Sequence, residues 1–340
     1  MRNKLTIYDI AKDLGIAPSS VSKALNNLPN ISQRVRDLVQ AKAKELGYVH
    51  NSNAANLRGG YTKTIGVIVP KLNTAFFSNI VSAIEKECSL HNHHVIVCQT
   101  DEKLEKEINA IELLISKQVD CILISLTQET TDVAHLQRVV DLKIPLIQFD
   151  RVNELVDSHI VVSDNKEAAY KSVMHLIQQG YKQIALLGGP DHLSNYRERK
   201  SGYLQALSDS EIDIPYRFVV DDVNNSDAAK HAALKLLKGK NPPDAFFAVS
   251  DYAALAAIQA AQSLSLQVPA QIGIMGFANE NFSAIIAPSL SSVDQNCTTL
   301  GRQAISIYFD KIRDNKTLSD FERVVIQSSI INRESSHKGP

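Results

Sequence analysis

Cysteine is scarce in this 340-residue chain, and the four present (Cys88, Cys98, Cys121 and Cys297) are scattered through apolar segments without C-x-x-C spacing. That pattern argues against a disulfide framework or a thiolate metal site and for buried thiols in a reducing compartment. No run of about eighteen apolar residues occurs, so no transmembrane helix and no membrane partner are expected. Met1-Arg-Asn-Lys-Leu-Thr leads straight into a polar amphipathic segment instead of an apolar signal region, which points to a cytoplasmic protein. Catalytic signatures are missing as well. Gly188-Gly189-Pro190 follows an apolar run but lacks the Lys-Ser/Thr of a phosphate-cradling loop, and there is no nucleophile elbow or zinc-protease helix. His91-Asn-His93-His94 has no companion carboxylate or cysteine at ligand spacing and reads as a solvated helix end. Neither enzyme activity nor a cofactor nor a metal is expected.

Charge, by contrast, is present and segregated. Residues 1–60 hold nine Lys/Arg against four acids, leaving 27 basic and 33 acidic residues for the remainder. A basic head on an acidic body points to a polyanion partner, although a merely solvated basic face has the same composition. In that head, Thr6-x-x-Asp9 is a capping-box-like start before the helical spacing of Ile7, Ile10, Ala11 and Leu14. Gly15 closes this helix, Pro18 opens a second through Val21, Ala24 and Leu25, and a third follows Ser32 with Val35, Leu38, Val39, Ala43 and Leu46 on one face. Two short helices around a tight turn make a helix-turn-helix, whose second helix enters the major groove; Ser19, Ser20 and Lys23 are its candidate base readers. A small structural three-helix bundle is the alternative. Asn51 to Leu57 then reads as a helix too short to be stable alone, ended by Gly59-Gly60 and expected to be disordered when free, with a flexible linker as the alternative.

From residue 64 onward, apolar runs alternate with amphipathic segments at βαβ spacing, predicting parallel sheets flanked by helices. The predicted strands are 64–70, 95–100, 121–126, 145–150, 159–164, 183–189, 218–221, 245–250, 272–277 and 290–294; the clearest helices are 76–91, 106–117, 165–180 and 226–238. Ligands of such sheets bind beyond the carboxyl ends of strands. The candidates there are Asn73, Phe76, Phe77, Ser125, Asp150, Ser250, Asp251, Asn279 and Gln295, each weighed against a capping, packing or ion-pair role. Carboxylates that accept from vicinal hydroxyls and aromatic rings that cover an apolar sugar face suit a polyol.

The run Thr6-Ile-Tyr-Asp-Ile-Ala-Lys-Asp-Leu-Gly-Ile-Ala-Pro-Ser-Ser-Val-Ser-Lys-Ala-Leu-Asn26, followed by Val35 to Tyr48, Asn51 to Leu57 and Lys63 to Pro70, resembles the lactose/galactose repressor family of bacterial transcription regulators. The resemblance implies an all-α helix-turn-helix head joined to an α/β core of two lobes in the periplasmic-binding-protein fold. The implied boundaries are a DNA-binding head (1–50), a hinge helix and linker (51–62) and an effector-binding and dimerisation core (63–340). Within the core the amino-terminal lobe takes about 63–162 and 293–325, and the carboxyl-terminal lobe about 163–292 and 326–340, with crossovers near Ser163, Ser292 and Val325. It further implies a homodimer on near-palindromic operator DNA, nucleoid-associated when bound, with Thr6, Tyr8, Ser19, Ser20, Ser22, Lys23, Asn26 and Ser32 at the DNA together with Asn51, Ala54, Leu57 and Arg58 of the hinge. Leu57 is placed to wedge the minor groove and Arg58 to meet the backbone. Arg199, three residues before Gly202-Tyr203, occupies the family's effector-binding position, and the implied effector is a mono- or disaccharide or a derivative. Pro18 and Lys23 depart from the family's usual residues in the reading helix, and Ala278 stands where many relatives carry an acid.

Overall fold

Alternating strand and helix signals become, in a computed structural model describing residues 5–26, 28–48, 61–223, 225–313 and 320–338, two compact units divided between Lys63 and Thr64. In the first unit α1 (Ile7–Leu14), α2 (Pro18–Leu25) and α3 (Gln33–Leu46) pack Ile10, Ala11, Val21, Ala24, Val39 and Ala43 into a shared core. The backbone N–H and hydroxyl of Thr6 both donate to the Asp9 carboxylate at 2.8 Å, securing the start of α1. Gly15 ends α1 in the left-handed region at φ 64°, and Pro18 occupies the first position of α2, where no N–H is needed. Ser32 caps α3 by accepting from the Val35 N–H.

The second unit is an α/β core. Among the described residues its larger sheet runs β11-β5-β4-β3-β1-β2, all pairs parallel, from β1 (Thr64–Val69), β2 (His94–Gln99), β3 (Cys121–Ile124), β4 (Leu146–Phe149), β5 (His159–Ser163) and β11 (Arg323–Ile326). The smaller sheet runs β7-β6-β8-β9, from β6 (Ile184–Leu187), β7 (Val219–Val220), β8 (Ala245–Ala248) and β9 (Gly273–Met275). Each sheet is an amino-terminal or carboxyl-terminal lobe. Near-continuous burial along β3, β4, β6 and β8 is the signature of parallel strands covered on both faces.

The covering helices are α4 (Ala75–Leu90), α5 (Leu104–Ser116) and α6 (Ala134–Asp141) in the first lobe, and α7 (Asn165–Gln178), α8 (Ser194–Asp209), α9 (Ser226–Leu237) and α10 (Asp251–Ser263) in the second. After β10 (Ser292–Asp294) the chain returns to the first lobe, where α11 (Cys297–Ile307) lays Leu300, Ala304 and Ile305 into the core formed by Ile65, Val67, Ile80, Ile84 and Phe149. It crosses a third time between β11 and β12 (Ser329–Ile331), which pairs antiparallel with β10. The strands β11 and β12 are short and half-exposed, with little apolar alternation, and sequence periodicity did not reveal them. His91 stacks on Phe309 at 4.0 Å between centroids, and His93 meets the same ring edge-on at 5.0 Å, so two members of the histidine run serve packing.

Candidate effector cleft and DNA-reading face

The carboxyl ends of β1, β4, β8 and β9 open onto one cleft between the lobes, with a cavity volume of about 270 Å³. This lies at the small end of the roughly 300–1,000 Å³ typical of ligand sites. Asn73, Phe76, Phe77 and Asp150 line it from one lobe, and Arg199, Ser250, Asp251 and Gln295 from the other elements. Phe76 and Phe77 sit in the first turn of α4 in an edge-to-face pair, centroids 5.0 Å apart.

Arg199 projects from α8 and is buried. Its Nε donates to Asn165 Oδ1 at 2.9 Å and its Nη1 to the Val249 carbonyl at 2.8 Å, while the guanidinium lies 3.8 Å from the Phe277 ring centroid. Nη2 has no hydrogen bond among the described residues, so part of the fork faces the cleft. Burial pulls the Arg199 pKa below its ordinary value, against the attraction of Asp150.

Asp150 is buried with its backbone in the left-handed region at φ 57°. Its carboxylate has sparse company: Asn195 Nδ2 at 3.5 Å and Arg151 Nε at 4.0 Å. Burial raises its pKa, opposed by Arg151 and Arg199. Asp251 differs. It is fully buried, with Oδ2 accepting from the Glu280 N–H at 2.7 Å and the Ser283 hydroxyl at 2.8 Å, and Oδ1 from the Ser292 hydroxyl at 2.6 Å. Burial raises its pKa too, countered by these bonds. Asp251 thus fastens the cleft floor, and the hydroxyl-accepting capacity expected of it is largely occupied. Ser250 caps α10 by accepting from Ala253 N–H, and Gln295 donates to the Ser163 hydroxyl, joining two of the crossovers.

Two residues expected at the ligand lie outside this cleft's lining. Ser125 is fully buried behind the end of β3, and Asn279 turns away, donating to Asp294 and accepting from Arg333, because φ 48° there redirects the chain. Two others come in. Arg151 Nη1 donates to both oxygens of Glu102 at 3.0 and 2.7 Å, and its Nη2 donates to the Tyr196 hydroxyl at 3.3 Å across the cleft. Tyr196 places its ring 5.6 Å from both Arg151 and Arg199. It stands three residues before Arg199 on α8, a spacing that puts both on one helix face and was readable from sequence.

On the head, Tyr8, Ser19 and Lys23 are exposed, with Tyr8 at 66%. Ser20 and Ser22 are half-buried on α2, and Asn26 donates its side-chain amide to the Ser22 carbonyl at 2.7 Å. Thr6 and Ser32 have capping duties. Asn51, Ala54, Leu57 and Arg58 lie outside the described residues.

Residues 62–334 match the family of periplasmic binding proteins and sugar-binding domains of the LacI family, and residues 6–51 match the bacterial regulatory proteins of the lacI family. The chain belongs to the LacI family. It is accordingly a DNA-binding transcriptional regulator with a ligand-binding core, as the resemblance of its head implied. Among its relatives, the transcriptional regulator DegA of Bacillus subtilis is 30% identical, the match covering 88% of this chain and 89% of DegA. Catabolite control protein A of Priestia megaterium is 28% identical over 98% of this chain and 99% of its own. In structure, the lac repressor dimer bound to operator and the anti-inducer ONPF superposes with a TM-score of 0.85 at 22% identity, over 99% of this chain and 100% of that one. The cellobiose complex of the regulator CelR gives 0.73 at 23% identity, over 97% and 99%. These structures confirm the head-plus-two-lobe fold for this LacI-family chain. Among the described residues no helix is long and apolar enough to cross a membrane.

Proposed function

We propose that this LacI-family regulator binds a near-palindromic operator as a homodimer and that a neutral sugar in the interlobe cleft sets its DNA affinity. The observation that carries the effector reading is the contrast between charged groups in the cleft. Arg151 is matched by Glu102, Asp251 by three donors and Glu280 by backbone amides, whereas Asp150 and Arg199 retain unsatisfied acceptor and donor capacity side by side. A carboxylate and a guanidinium among Phe76, Phe77, Tyr196 and Phe277 suit hydroxyl groups on an apolar ring. The CelR complex shows that a core of this fold can hold cellobiose.

Homodimerisation follows from twofold DNA: two heads reading half-sites require twofold symmetry. In this reading α2 presents Ser19, Ser20 and Lys23 to base edges and Tyr8 lies at the DNA. Effector occupancy changes DNA affinity by favouring one arrangement of the lobes. Thermal-shift screening of neutral mono- and disaccharides tests the cleft. A ligand at 100 times its dissociation constant adds about 2.7 kcal/mol to stability. The shift is expected in the wild type and absent in Arg199→Ala; an equal shift in both rules out the assigned site.

A further inference from the structure

Glu280 lies on the carboxyl-terminal lobe just beyond β9, yet its side chain serves the other lobe. Oε2 accepts from the Ala75 N–H at 2.8 Å and Oε1 from the Phe76 N–H at 3.3 Å, the first two amides of α4. Helix amides at those positions have no partner within the helix and carry its positive end, so a carboxylate there makes charge-assisted bonds. Glu280 is 5% exposed, and its own N–H is held by Asp251. Thr74, the residue's local competitor, caps a different amide, that of Phe77. The carboxylate is therefore anchored to one lobe at its backbone and to the other at its tip, at the edge of the same cleft that Phe76 lines.

We propose that Glu280 is an interlobe latch, a positioning residue that holds the cleft closed and sets Phe76 and Phe77 over the ligand; its effect on effector affinity rests on the cleft being the effector site. Opening the lobes breaks both bonds and leaves a carboxylate and two helix amides to be resolvated. On the far side of the cleft the lobes are also joined around the start of α8, where His192 Nε2 lies 2.7 Å from the Gln128 carbonyl, Ser194 donates to the Val152 carbonyl at 3.3 Å, Asn195 reaches Asp150 and Arg151 reaches the Tyr196 hydroxyl.

The test needs no ligand. Amide hydrogen exchange of the full-length chain is followed in segments 74–80 and 192–198 for the wild type, Glu280→Gln and Ala75→Pro. Proline is favoured at the first helical position, so Ala75→Pro removes one donor without touching Glu280 or breaking α4. Loss of a charge-assisted contact is expected to speed exchange about tenfold in both segments for both variants. Faster exchange confined to 74–80 makes Glu280 a local cap and overturns the latch, as does unchanged exchange in both segments. Because no sugar enters this measurement, its failure is distinct from failure of the effector assignment.

Discussion

Asp150 and Asp251 are both buried carboxylates at strand ends, but their partners give them different work. Asp251→Asn is expected to cost about 2–4 kcal/mol of stability, because an amide NH2 must then face the Ser292 hydroxyl or the Glu280 and Ser283 donors. Urea denaturation measures this. Asp150→Asn should leave the melting temperature within a few degrees while weakening effector binding about tenfold or more, read by calorimetric titration with whichever sugar the screen returns. Both aspartates were legible as candidates from their place after apolar runs. What separates them was not, since the donors to Asp251 come from Glu280, Ser283 and Ser292, up to 41 residues away in sequence. The same limit applies to Ser125 and Asn279: a strand-end position is visible in sequence, the direction of the side chain is not. His175 adds a pH dependence. It is buried on α7 against the Ser336 hydroxyl, and burial, with His337 nearby, lowers its pKa. The folded state therefore holds fewer protons than the unfolded chain around this group, so its stabilising contribution is complete above about pH 6.5 and is lost as pH falls through the lower folded value. Chemical denaturation at pH 7.5 and 5.5 should show a smaller loss on acidification for His175→Gln than for the wild type.

At the level of elements, the packing of α8 against α7 in the second lobe depends on a missing side chain. A Cβ at Gly202 of α8 would sit 2.1 Å from the Lys166 carbonyl of α7, and backbone cannot move aside as a flexible side chain does. Gly202→Ala should destabilise by about 1–3 kcal/mol or more, with effector affinity falling too because Arg199 lies one turn earlier on α8. Denaturant unfolding and ligand titration check the two parts. Most elements could be placed from the sequence because the periods of 2 and 3.6 are strong where burial is one-sided or complete, as in α4 with Phe76, Phe77, Ile80, Ala83, Ile84 and Cys88 turned inward. The strands β11 and β12 escaped for the converse reason: each has half-exposed residues and a partner over 30 residues away, so pairing, not local pattern, makes them strands. The head was the most legible element group, because Thr6, Gly15, Pro18, Ser32 and Gly47 punctuate it with side-chain and backbone chemistry that acts locally.

Across the whole molecule, the basic head and acidic core divide the chain's charge between its two functions. DNA affinity should therefore fall steeply with salt, each phosphate contact adding about 0.9 to the log–log slope, while binding of an uncharged sugar stays nearly flat. The fold's discontinuous lobes, each assembled from segments on both sides of the crossovers, mean that closure of the cleft involves all three connections together. Occupancy beside Arg199 and Asp150 is proposed to be read out at the DNA. The most direct measurement is the operator affinity of the full-length wild type and of Arg199→Ala, by fluorescence anisotropy, across a panel of neutral sugars and their phosphates. At least one neutral sugar should change the wild-type affinity about fivefold or more and leave Arg199→Ala unmoved. A response to a phosphorylated sugar with none to any neutral one, or equal responses of wild type and variant, would contradict this coupling.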